Sequence, residues 1–448
     1  MKDLPEKQNK KKVGPKKGFY RTAVLLCLVL FVGIAVIAGM ARHSGKADSM
    51  QTITKISKTE IQTDNAVAGS KNKNTASPKQ ISDNSLSGTS ETESQPSMED
   101  QAEKILDKLS LYQKICQMFI VTPEALTGKT DFVTSADKAV LDGLNSYPVG
   151  GMICFAGNIK DPDQLKEMMT GIQSAASKQE GMPLLTGVDE EGGSVARIAG
   201  NDKFQVTKFP DMKEIASVKQ AYHVGDTIGS YLKEYGFNLD FAPDADVLTN
   251  PQNKVIGARS FGKDPADVTA KALAVYQGLS SHHILAVFKH FPGHGATKGD
   301  THEGFAFTDR TYEEMEKEEL VPFQAAVENK VPLILVAHIS VPKITGDNTP
   351  ASLSGKVVTD ILRNKMQYQG LIVTDALNMG AIEKIYTSSQ AAVMAIQAGD
   401  DLLLMPKDFP AAIQAVQSAV SKGQITEERI NESVKRIILA KLSLQKEG

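Results

Sequence analysis

From about residue 98 onward, short apolar runs alternate with longer amphipathic stretches. The runs fall at 117–121, 151–155, 184–189, 238–243, 286–290, 333–338, 371–375 and 401–405. Runs this short and this apolar suit strands buried on both faces of a parallel sheet. Between them, residues 163–177 and 411–422 place apolar side chains at helical spacing. Eight strand–helix units predict an α/β fold, a single-domain (β/α)8 TIM barrel over 99–448. An open doubly wound sheet is the alternative. The first run is not followed by a glycine-rich phosphate loop, which counts against it.

The N-terminal part has a different texture. Residues 23–41 are uniformly apolar or small, and at 1.5 Å per residue they nearly span a hydrocarbon core of about 30 Å. Lys10, Lys11, Lys12, Lys16, Lys17 and Arg21 precede them. This predicts a basic cytoplasmic tail over 1–21 and a transmembrane signal-anchor over 22–42, with everything later exported. Cleavage after Gly39-Met40-Ala41 would instead release the protein. Residues 43–98 are polar and almost free of aromatics, which predicts a disordered linker. As a flexible coil it would span about 40 Å, enough to hold a domain near the outer membrane face.

The formal net charge of −3 disfavours a nucleic-acid partner. Three cysteines are too few for a disulfide scaffold. Cys116 and Cys154 read as small buried side chains, with a bridge between them left open.

Polar residues gather at the ends of the apolar runs: Asp189, Asp246, Lys289, His290, His338 and Asp375. In a barrel that edge is the catalytic face. The densest segment is Lys289-His290-Phe291-Pro292-Gly293-His294-Gly295, followed by Asp300-Thr301-His302-Glu303. In an extended segment Asp300 and His302 point to one side, so the carboxylate can orient the imidazole for proton transfer. A zinc site using His290 and His294 would need a helix, which Pro292 and Gly293 oppose, so no metal and no cofactor are expected. Asp375 ends a run directly. It suits either a helix cap or a covalent nucleophile. Asp189-Glu190-Glu191-Gly192-Gly193-Ser194-Val195-Ala196-Arg197 surrounds a glycine pair with acids and an arginine. The pair would let backbone approach a ligand closely. Arg259 sits in another turn-rich loop, Gly257 to Gly262.

These motifs, with Asn250-Pro251, Thr374-Asp375-Ala376-Leu377-Asn378-Met379 and Ala398-Gly399-Asp400-Asp401, resemble glycoside hydrolase family 3. The similarity is strongest to its β-N-acetylglucosaminidase branch acting on peptidoglycan fragments. It covers residues 100–445 in the family's order. The resemblance implies a retaining mechanism on a small glycan or muropeptide. Asp375 would be the nucleophile, and His302, oriented by Asp300, the acid and then the base. Asp189, Arg197, Arg259, Lys289 and His290 would hold the terminal N-acetylglucosamine. Ser194 and Asp244 depart from the pattern, which touches pocket detail. Many β-glucosidases of the family carry a second domain supplying a glutamate acid. None follows residue 448 here, so the His-dependent branch is expected, with Glu190, Glu191 and Glu303 as fallback acids. Alternatives are a β-glucosidase of the same family and a non-catalytic wall-binding barrel. Schiff-base chemistry on Lys289 and a metal-dependent amidohydrolase are further rivals.

Overall fold

The computed structural model describes residues 97–300, 304 and 306–445. The predicted tail, the anchor at 22–42 and nearly all of the linker lie outside them. No helix among the described residues is long and apolar enough to cross a membrane.

All eight predicted strands form. They are β1 (Phe119–Val121), β2 (Gly151–Ile153), β3 (Leu185–Val188) and β4 (Leu239–Asp240), then β5 (Leu285–Phe291), β6 (Leu333–Val336), β7 (Leu371–Thr374) and β8 (Leu403–Leu404). Each pairs in parallel with its neighbours in sequence, and β8 pairs with β1 through Phe119–Leu403 and Ile120–Leu404. The ring closes at β7 and β8 through the parallel bridge Val373–Leu402, where Thr374 N donates to Leu402 O at 3.0 Å. A sheet closed in this way has no exposed edge, and the doubly wound alternative is excluded.

The outer helices start where the sequence supplies caps. Pro162–Glu180 opens on Asp161, whose side chain accepts from Gln164 N, with Pro162 in the first turn. It ends on Gly181 at φ 69°, a conformation that costs glycine little. Phe409–Ser421 begins two residues before the predicted 411, because Asp408 provides its cap. The first described helix, Met98–Leu106, has a capping box made by Ser97 and Asp100. It packs against the last helix, Glu427–Ser443. Lys435 and Glu103 pair across this contact at 2.6 Å. Cys116 and Cys154 are both buried and free.

The Asp400-Asp401 motif lies at the N-terminal end of β8, away from the catalytic face. Asp401 Oδ1 accepts from Ser433 Oγ at 2.6 Å and Arg436 Nη1 at 3.1 Å. Its Oδ2 accepts from Arg363 Nη2 at 2.7 Å and Ile372 N at 3.0 Å. One carboxylate thus ties β7, β8 and two outer helices together.

Candidate active site

Seven of the eight predicted site residues line one cavity of about 510 Å³ at the C-terminal mouth of the barrel. Asp189 and Arg197 come from the segment after β3, and Arg259 from the loop after β4. Lys289 and His290 lie on β5, with Asp300 in the loop beyond. Asp375 is the first residue past β7. The eighth, His302, lies outside the described residues, as does Glu303.

Lys289 is the hub of the charged wall. Its Nζ lies 2.6 Å from Glu191 Oε1 and 3.1 Å from Asp189 Oδ1. Arg259 grips the same Glu191 with two parallel bonds, Nε to Oε2 at 2.9 Å and Nη2 to Oε1 at 2.7 Å. Burial would push the Glu191 carboxyl up, but Arg259 and Lys289 together hold it far below the carboxylate range. A carboxylate fixed in this way is a poor proton donor, which removes Glu191 as a fallback acid. Burial lowers the Lys289 pKa, and Glu191 and Asp189 more than restore it, leaving it net raised. A raised pKa favours the charged ammonium, which is not nucleophilic, and this argues against the Schiff-base rival.

His290 is neutral. Arg259 Nη2 can only donate, and it lies 3.2 Å from His290 Nε2, so that nitrogen is bare. The proton therefore sits on Nδ1 and is donated to Asp246 Oδ2 at 2.7 Å. Burial, then the Arg259 charge, pushes the imidazole down to about 4, in keeping with this tautomer. Asp246 in turn accepts from His294 N through Oδ1 at 2.5 Å, fixing the start of the loop that leads to Asp300. Beside it, Asp244 is buried, and burial and then the Asp246 charge push its carboxyl up to about 7.

Asp375 is held at the end of β7, two strands round the ring from Lys289. Its backbone N–H continues the sheet to Val336 O at 2.9 Å. Its Oδ1 accepts from Ala376 N at 2.8 Å. Burial alone would raise this carboxyl, but His338, His290, the Ala376 N–H and Lys289 together outweigh it and the pKa is lowered. His338 is positioned by Ser352 Oγ at 2.7 Å on Nδ1 and by Ala376 O at 2.9 Å, to which Nε2 donates.

Two expectations are corrected. Glu190 is not an acid candidate. It accepts from Arg197 N, Ile198 N and Ala199 N and from the Tyr231 hydroxyl, so it is a buried anchor for the Arg197 loop. The Gly192-Gly193 pair serves a hairpin turn between Glu190–Gly192 and Val195–Ala196 instead of making room for a ligand. Gly193 has φ 56°, and a Cβ there would lie 2.3 Å from Asp211 Oδ1.

Asp244, Asp246 and His290 offer ligand atoms within 4.8 Å of one another, the geometry of a possible cation site. Both His290 ring nitrogens are already engaged, however, and the Arg259 guanidinium stands 3.7 Å from Asp244 Oδ2. The set is built to orient an imidazole, and we assign no metal to it. The structural weights of Glu191, Asp244 and Asp246 were only partly visible in sequence. Their signal was their position at or just beyond strand ends.

The family model described as "Glycosyl hydrolase family 3 N terminal domain" matches residues 110–440, and the chain belongs to that family. It is 33% identical to β-hexosaminidase A of Pseudoalteromonas piscicida over 339 residues, 70% of this chain and 56% of that protein. It is 36% identical to a β-hexosaminidase of Nitrosomonas eutropha over 296 residues, 64% of this chain and 81% of that one. Among solved structures, a family 3 β-N-acetylglucosaminidase from Paenibacillus sp. str. FPU-7 superposes with a TM-score of 0.70 at 33% identity. That match covers 75% of this chain and 63% of the other. The chain therefore spans little more than half the length of some relatives and most of others.

Proposed function

We propose that the protein is a retaining exo-β-N-acetylglucosaminidase that removes terminal β-linked N-acetylglucosamine from muropeptides or related cell-wall glycans. The observation that carries this reading is Asp375. It is a carboxylate kept ionised at the end of a barrel strand, in the same cavity as Asp300 and the cationic wall of Lys289 and Arg259. Asp375 attacks the anomeric carbon and displaces the glycosidic oxygen, which leaves with a proton from His302. Water, deprotonated by His302, then releases the sugar and restores Asp375. Asp300 orients His302. Lys289, Arg197 and Arg259 donate charge-assisted hydrogen bonds to the ring hydroxyls, while Asp189 accepts. The similarity to relatives named β-hexosaminidases supports the sugar preference.

The basic flank and apolar stretch at 23–41 support a membrane-tethered protein whose barrel acts outside the cytoplasm, with cleavage and secretion as the variant outcome. A 2-deoxy-2-fluoro glycosyl probe tests the chemistry. Peptide mapping should find the sugar esterified to Asp375. Label on another residue, or equal rates on aryl N-acetylglucosaminides and aryl glucosides, would refute the nucleophile or the specificity respectively.

A further inference from the structure

The loop that carries Asp300 leaves β5 at Pro292 and meets one fully buried side chain at both of its ends. That side chain is Glu319, just before the helix Val321–Glu328. At the near end Gly293 packs directly on it. This glycine has φ 128°, and a Cβ there would lie 2.5 Å from Glu319 Cβ. At the far end Arg310 Nη1 lies 3.2 Å from Glu319 Oε1, while Nη2 reaches Glu318 Oε2 at 2.8 Å. The same Glu319 Oε1 accepts from Thr249 Oγ1 at 2.8 Å, which brings in the loop after β4. The next residue there, Asn250, donates through N to Gly295 O at 3.1 Å and through Nδ2 to Thr297 O at 2.8 Å. Between its ends the loop has a narrow neck, where Lys298 and Phe307 exchange two backbone hydrogen bonds, each at 3.0 Å. Asp300 lies just inside this neck and Arg310 just outside it.

We propose that Glu319 is a positioning residue for the reaction: it clamps both ends of the Asp300 loop and so sets the place from which the proton is donated. The inference rests on the role given above to Asp300 and its loop. Stability is a poor account of a charge in this place. Among the described residues Glu319 Oε2 has no hydrogen-bond partner. For a carboxylate buried in this way, desolvation offsets much of the attraction to Arg310. Geometry is a better account, since Oε1 joins the loop after β4 to the far end of the Asp300 loop, and the Glu319 stem meets the near end. The neck transmits the clamp. With Lys298 and Phe307 paired, a shift of Arg310 moves Phe307 and, through it, Lys298 and Asp300, which lines the catalytic cavity. Proton transfer depends steeply on placement, and a displacement of about 1 Å can lower a rate on the order of 10²-fold. Glu319 acts only through the loop, because it lies outside the lining of that cavity.

Two glycosides that differ in their need for a proton test the clamp. The phenolate of 2,4-dinitrophenyl β-N-acetylglucosaminide departs unprotonated, whereas the sugar released from N,N′-diacetylchitobiose must take a proton. Glu319→Gln and Arg310→Gln should each lower kcat/KM for the disaccharide about ten- to a hundredfold and change that for the dinitrophenyl glycoside less than about twofold. Melting curves establish that each variant is folded. Arg310 is partly exposed, so its variant decides the question if Glu319→Gln does not fold. An unchanged disaccharide rate, or an equal loss on both glycosides, overturns the positioning role. Asp300→Ala keeps that failure apart from a failure of the functional reading, because it should show the same contrast between leaving groups. If it does and Arg310→Gln does not, the clamp alone is refuted. If the unaltered protein cleaves neither glycoside, the functional reading fails, and the clamp with it.

Discussion

Asp375 shows how a single side chain can be read in two ways from sequence and in one way from structure. A helix cap would turn its carboxylate toward the N–H groups of the following turn. Here, among the described residues, Oδ1 takes the N–H of the next residue, Ala376, and the side chain lines the cavity. Asp375→Ala should lower kcat by about 10⁴-fold or more with the fold intact, checked by single-turnover assays beside a melting curve. Asp244 gives a second prediction. Its folded pKa of about 7 lies above the ordinary 3.8, so the folded state holds the proton more tightly. The stability this confers is complete below about pH 4 and lost as pH rises through 7. Asparagine keeps the acceptor for Asp246 N without the charge. The melting temperature of Asp244→Asn relative to the unaltered protein should therefore rise by several degrees between pH 5 and pH 8. A constant difference across that range would show that Asp244 is not the titrating group.

At the scale of elements, the strands were the legible part. Burial on both faces leaves a continuous apolar run, and a run survives in one sequence without any knowledge of partners. Strand-end polars were legible for the same reason, because Asp189, Lys289 and Asp375 interrupt such runs. What stayed hidden depends on pairs far apart in the chain. The clamp of Arg259 on Glu191 joins residues 68 apart, and the Tyr231 hydroxyl that completes the anchoring of Glu190 arrives 41 residues later. The Asp400-Asp401 pair belonged to the family pattern, yet its place is the joint between β7, β8 and the last helix. Removing Asp401 leaves Arg363 and Arg436 without their shared acceptor in a buried setting. Asp401→Ala should cost about 3–5 kcal/mol in urea unfolding while the surviving folded fraction keeps its KM, since the joint is at the far end from the cavity. A shifted KM with unchanged stability would contradict that assignment.

For the whole molecule, the proposed reading separates an address in the N-terminal 42 residues from a chemistry in the barrel. Deleting residues 1–42 should move glycosidase activity from the membrane pellet to the soluble fraction with kcat on an aryl glycoside unaltered. Activity that stays in the pellet would mean that the barrel itself holds the membrane. The barrel's own construction has a consequence for how its sequence can be cut. Because the first and last described helices lie side by side and Lys435 reaches Glu103, the ring has no privileged starting unit. A short peptide joining residue 445 to residue 97, with new ends opened in a surface turn such as the one after Gly423, should give a circular permutant that still encloses the same cavity.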